Sequence, residues 1–181
     1  MSRQTVKLMG EPNLIEVSTP VVDFGDSLQL LIADLKETMK AEGGVGIAAP
    51  QIGCNQRVIC LGFEKNERYP DKAAVPFQVL VNPKYEVLSQ KQIVDWEGCL
   101  SVPGLRGLVA RYERIHYRGY NEKGEYVEGI ASDFHARIIQ HEVDHLNGIL
   151  FPFRMDNLKH LLFQSVYTRL HTSPLPKAVD S

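Results

Sequence analysis

The chain has 181 residues, 44% hydrophobic and 23% charged, with a formal net charge of -2. This suits one globular domain over residues 1–181, and a pI of about 6.3 offers no broad basic surface for direct nucleic-acid binding. No apolar run approaches the roughly 20 residues of a membrane span, and Met1–Gly10 lacks the apolar stretch of a signal peptide, so a cytoplasmic location is expected.

The first predicted element is a helix from Asp26. Asp26 or Ser27 can cap it, and Leu28, Leu31, Ile32, Leu35 and Met39 fall on one face. It stops at Gly43-Gly44. Residues 43–53 then read as a glycine-rich turn region containing Pro50. The run Gly43-Gly44-Val45-Gly46 is no phosphate cradle, because no Gly-Lys-Ser/Thr follows it. Strands are expected at Arg57–Phe63 and Gln78–Val81. Another pair, Tyr112–Tyr120 and Glu125–Ile130, is joined by the hairpin turn Asn121-Glu122-Lys123-Gly124. A second helix runs from Ser132 or Asp133 to Leu146, with Phe134, Ile138, Val143 and Leu146 supplying apolar surface and Asn147-Gly148 ending it. In the tail, Leu158, Leu161, Leu162, Val166 and Leu170 lie at helical spacing, and Pro174–Ser181 is expected to fray. Helix, strands with hairpins, then helix gives an α+β fold, with mixed or antiparallel strands packed around the second helix.

That helix carries the strongest local signal, His141-Glu142-Val143-Asp144-His145. Four residues are about one helical turn, so both imidazoles project from one face and can meet a single cation. Glu142 sits beside the first imidazole, within reach of water there. The bland alternative is a pair of ordinary histidines with Glu142 and Asp144 exposed. A catalytic site normally needs a third protein ligand. No Glu follows Glu142, His160 lies on a different predicted helix, and Asp144 points the wrong way. The ligand must come from upstream. Cys99, in Glu97-Gly98-Cys99-Leu100-Ser101, is the best candidate, although spacing alone does not decide it. Of the other cysteines, Cys60 lies in a strand-like run, and it and Cys54 read as buried apolar thiols. An odd count of three cysteines argues against a disulfide framework. His116 alternates with apolar neighbours and should be exposed, while His135, His160 and His171 lack a ligand pattern.

Three segments together resemble the signature motifs of peptide deformylases. They are Gly44-Val45-Gly46-Ile47-Ala48-Ala49-Pro50-Gln51, then Glu97-Gly98-Cys99-Leu100-Ser101, then Gln140-His141-Glu142-Val143-Asp144-His145. Their order and approximate separation match, and the similarity runs from near Val6 to about Phe153. Ile47 stands where the family often has Leu. The resemblance implies that Cys99, His141 and His145 hold a divalent metal, usually ferrous iron, exchangeable for zinc, nickel or cobalt. It implies Glu142 as general acid/base, with the Gln51 amide and the Leu100 backbone N–H forming the oxyanion hole. Gly46 would bind substrate through its backbone, Phe134 and Ile138 would line the methionine pocket, and Arg106 would meet the peptide further along. Glu97 and Arg111 would pair behind the cysteine loop. The implied substrate is an N-formylmethionyl nascent peptide, cleaved to formate and a free N-terminal methionine. Docking of the tail on the ribosome near its exit tunnel stays open.

Two rival readings differ in class. A general metallopeptidase would use the same Glu142 chemistry on internal peptide bonds. A protein keeping a metal only for stability would close the site with a fourth ligand and need neither Glu142 nor Gln51.

Overall fold

A computed structural model describes residues 2–67 and 69–172. Helix α1 spans Asp26–Ala41. Strands β1 (Gly46–Ala48), β2 (Val58–Phe63), β3 (Val75–Val87), β4 (Gln92–Cys99), β5 (Val102–Tyr112), β6 (Arg114–Tyr120) and β7 (Tyr126–Ser132) follow. Helix α2 is Asp133–Leu146, and strand β8 (Leu161–Phe163) leads into helix α3 (Gln164–Thr172). One sheet has the order β1-β2-β3-β6-β7 and the other β4-β5-β8. Every strand pairing within these sheets is antiparallel.

The alternation of β2 places α1 and α2 on opposite faces of the first sheet. Val58 and Cys60 join Leu28, Ile32, Leu35 and Met39 of α1 in one apolar cluster. Ile59 and Leu61 face the other way, into a cluster with Ile138, Ile139, Val143 and Leu146 of α2. All of these β2 side chains are buried, so the strand reads as a continuous apolar run.

Helix α2 is covered on nearly every side. Its apolar stripe lies on the first sheet, while Arg137, Glu142, Asp144 and His145 are buried as well. The second sheet covers part of that polar side through β5. No connector precedes the helix: β7 ends at Ser132 and α2 begins at Asp133. Asp133 adopts φ 52°, the left-handed region, and its N–H donates to the Glu113 carbonyl at 2.8 Å. A short polar side chain tolerates that conformation better than a bulky one. At the other end, Asn147 and Gly148 donate back to the Asp144 and His145 carbonyls, and Gly148 has φ 71°.

Several expectations shift. The supposed turn over residues 43–53 contains β1 and a 3-10 turn at Ala49–Ile52, both buried except Ile52. Strands β4 and β5 occupy a stretch where none was expected. The tail is not one helix, because Leu161 and Leu162 lie in β8, paired with β5 at Gly107 and Arg106. The helix α1 has Gly25, not Asp26 or Ser27, at its cap position. Cys54 is half-buried rather than buried. His116 is partly covered and lies 3.3 Å from Glu128. The segment Pro174–Ser181, expected to fray, lies outside the described residues.

Ile139 is fully buried between α2 and the first sheet. Ile139→Ala should cost about 2–5 kcal/mol of stability through lost contacts and a residual cavity. Urea unfolding followed by circular dichroism measures this, and a loss under 1 kcal/mol (roughly the Ile→Val range) would show that the seat of α2 is looser than its burial indicates.

Candidate metal centre

Cys99 is the last residue of β4, after a register shift between Glu97 and Cys99, and it pairs with Val102 across the tight turn into β5. That turn brings its sulfur toward α2. His141 and His145 project from one face of the helix, with ring centroids 5.0 Å apart. The Cys99 Sγ lies 3.2 Å from His145 Nε2. One ligand atom from each of Cys99, His141 and His145 falls within 4.8 Å of the others. Cys99 and His145 are buried, and the His141 side chain remains 11% exposed.

The electrostatics of the cluster suit a cation. Burial alone would push the Cys99 thiol up, but the His145 and His141 imidazoles hold it well below the usual thiol range. Burial alone would lower His141, yet Cys99 and Glu97 raise it well above the usual imidazole range. The site thus favours a thiolate facing positive charge, which a divalent metal supplies as readily as protons on imidazole do. One soft and two borderline donors form a set that transition metals accept.

A buried ion network stands behind His141. Glu97 is 3% exposed and takes donors on both oxygens. Oε1 accepts from Arg111 Nε at 2.9 Å and from Arg137 Nη1 at 2.7 Å. Oε2 accepts from Arg111 Nη2 at 3.0 Å and faces His141 Nδ1 at 2.8 Å. Burial would raise the Glu97 carboxyl, but Arg111 and His141 keep it far below the ordinary carboxylate range. Arg111 also pairs with Asp144 Oδ2, while Arg154 donates to both Asp144 oxygens, at 3.0 and 2.6 Å.

Glu142 is 4% exposed, and its Oε2 has no hydrogen-bond partner among the described residues. Burial lifts its carboxyl to about 7 despite the neighbouring histidines. Gly46 passes so close that a Cβ there would overlap the Glu142 carboxylate. Gln51 is 1% exposed. Its Oε1 accepts from the Ala48 N–H at 2.8 Å, which turns its amide nitrogen toward Ser101 Oγ at 3.1 Å and Cys99 Sγ at 3.6 Å. A cavity opens beside these groups, lined by Gly46, Gln51, Leu100, Phe134, Ile138 and Glu142 among others.

The sequence model of the polypeptide deformylases matches residues 4–161. The chain belongs to that family. Peptide deformylase 2 of Ralstonia nicotianae is 49% identical over 159 residues, covering 87% of this chain and 90% of the relative. A crystal structure of class I type b peptide deformylase from Acinetobacter baumannii superposes with a TM-score of 0.83 at 40% identity, covering 86% of this chain and 100% of that one. The Met-Ala-Ser-bound structure from the same organism gives a TM-score of 0.82 at 41% identity, covering 85% and 99%. Peptide deformylases are metal-dependent enzymes that remove the N-formyl group from nascent peptides.

Against the deformylase motifs, the structure gathers Gly46, Gln51, Cys99, Leu100, Phe134, Ile138, His141 and Glu142 around one cavity, with His145 packed against Cys99. Arg106 stands apart. It is only 2% exposed and lines a neighbouring cleft that shares Cys99 and Leu100 with the first cavity. Glu142 and Asp144 are buried, against the bland alternative of exposed carboxylates. Sequence reasoning missed Arg137, Arg154 and Tyr69. No local pattern in the sequence marks any of the three.

Glu97→Gln would leave Arg111 and Arg137 buried against a neutral amide. Stability should fall by roughly 3–5 kcal/mol, as when one partner of a buried ion pair is removed. The readout is the urea midpoint, and an unmoved midpoint would mean that the carboxylate does not hold these elements together.

Proposed function

We propose that this chain removes the formyl group from the N-formylmethionine that begins newly made proteins, using a metal held by Cys99, His141 and His145. The observation that carries the reading is the approach of those ligand atoms to within 4.8 Å beside a buried Glu142 oxygen that has no partner among the described residues. Bound there, a divalent cation would supply Lewis acidity toward water and the formyl oxygen. The resemblance favours ferrous iron, with zinc, nickel or cobalt able to replace it in preparations.

Glu142 does the proton work in this scheme. Its carboxylate takes a proton from the attacking water and returns it to the amine nitrogen as the formyl C–N bond breaks. A carboxyl near 7 is poised to do both. The Gln51 amide and the Leu100 backbone N–H donate to the formyl oxygen as charge develops on it. Preorganisation supports this role for Gln51, because the Ala48 N–H fixes its amide. Gly46 binds the substrate backbone at close range. Phe134 and Ile138 receive the unbranched thioether of methionine. Arg106 meets the peptide beyond its first residue, from the adjoining cleft. A formyl carbon carries only hydrogen, so crowding by Gly46, Leu100 and α2 excludes an acetyl methyl.

The substrate is made in the cytoplasm and emerges at the ribosomal exit tunnel, and we assign the protein to that compartment and that neighbourhood. Among the described residues no helix is long and apolar enough to cross a membrane.

Anaerobic purification with metal analysis and a formate-release assay on formyl-Met peptides tests the reading. Iron and rapid formate release are expected. Zinc in place of iron would change only the metal, whereas no formate from any metallated form would overturn the function. Glu142→Gln should keep its metal and lose about 10²–10⁴ in turnover, the usual worth of a general base. Cys99→Ala should lose the metal itself, measured by chelator competition, and native affinity in that variant would remove Cys99 from the ligand set.

A further inference from the structure

The connection between β2 and β3 forms a wall of the candidate substrate cavity. Tyr69, in this connection, lines that cavity together with Phe134 and Ile138. Its ring centroid lies 4.8 Å from that of Phe134, tilted by 50°. On another side the Arg106 guanidinium packs over it, 4.8 Å from the ring centroid. The Tyr69 hydroxyl accepts from the Gly98 N–H at 3.4 Å, next to Cys99. The wall is pinned further along, where Lys72 pairs with Asp95 at 2.7 Å and also lies 5.5 Å over the Phe134 ring.

This loop has different neighbours on its two sides. Tyr69 faces the cavity at Glu142, whereas Glu67, Pro70 and Asp71 line the adjoining cleft that contains Arg106. The Tyr69 ring lies between Phe134 of the cavity and Arg106 of the adjoining cleft. Phe134 also meets Phe63 edge-on at 5.8 Å, so Tyr69, Phe134 and Phe63 form one linked aromatic wall.

We infer that Tyr69 is a specificity-determining residue, whose ring closes the outer side of the side-chain pocket and limits the width of the first residue admitted. This rests on the deformylase reading of the cavity. A flexible unbranched side chain fits alongside this aromatic wall, whereas an aromatic one needs the space Tyr69 fills. In apolar pockets, shape mismatches of this kind discriminate about 10–200-fold.

The test compares the metal-loaded wild type with Tyr69→Ala and Tyr69→Phe on formyl-Met-Ala-Ser and formyl-Phe-Ala-Ser. In Tyr69→Ala the Met-over-Phe ratio of kcat/KM should fall at least about tenfold, mainly through a lower KM for the phenylalanine peptide. Tyr69→Phe keeps the ring and should keep the ratio. An unchanged ratio in Tyr69→Ala would overturn the inference, and so would an equal loss of rate on both peptides. A ratio that falls as far in Tyr69→Phe would assign the effect to the hydroxyl and overturn it also. Tyr69→Leu replaces the Ala variant if that protein does not fold. If the wild type releases no formate from either peptide, the activity reading fails instead. Calorimetric binding of Met-Ala-Ser and Phe-Ala-Ser to the same variants then still decides the role of Tyr69, by the same shift in preference.

Discussion

Glu97 is a carboxylate with almost no access to water, and the site is arranged around keeping it charged. Such a group is tolerated only when its lone pairs are filled by strong donors. Here Arg111 supplies two, one to each oxygen, Arg137 one to Oε1, and His141 faces Oε2. These contacts join the β4–β5 hairpin, which carries Glu97 and Arg111, to α2, which carries Arg137 and His141. They also orient the imidazole. With Nδ1 donating to Glu97, the Nε2 lone pair is the one left to face Cys99 and His145.

The same network sets the charge balance. Glu97 and Asp144 oppose Arg111, Arg137 and Arg154, so the guanidiniums outnumber the carboxylates by one. The Cys99 sulfur lies just beyond, where the His145 and His141 imidazoles favour its ionised form. The arginines act on the sulfur only indirectly. They stabilise the carboxylates, and through Glu97 they hold the His141 imidazole that faces the sulfur. Asp144 belongs to this arrangement although it binds nothing in the cavity, which explains why a carboxylate on the back of the His-bearing helix is buried at all.

Much of this was legible in the sequence where chemistry and periodicity agree. Leu28, Ile32, Leu35 and Met39 marked α1, and His141-Glu142 with His145 marked α2 and the face that carries both imidazoles. The β6–β7 hairpin was announced by Asn121-Glu122-Lys123-Gly124. The missed strands fail the alternation rule for a physical reason. In β4 and β5 the inward residues include Glu97, Arg106 and Arg111, and Gly98, Pro103, Gly104 and Gly107 interrupt the run. A buried ion network makes a strand look like a loop. Strand β1 has only three residues, too few to show a period. In the tail, Leu161 and Leu162 fit helical spacing, and only pairing with Gly107 and Arg106 makes them a strand. Tyr69 had no signal, because its place depends on how a loop packs against residues far away in sequence.

The direct passage of β7 into α2 through the left-handed Asp133 has a consequence for rotation. With no slack between the strand and the helix, the sheet dictates the angular phase of α2. Each residue of an α-helix turns it by about 100°. A single insertion or deletion at the Ser132–Asp133 junction would therefore swing His141 and His145 away from Cys99 and bring a different stripe against the first sheet. The buried apolar residues of α2 resist that rotation, so packing and ligand geometry demand the same phase. The junction acts as an angular index mark: the core and the imidazoles that meet Cys99 are aligned by one strand end.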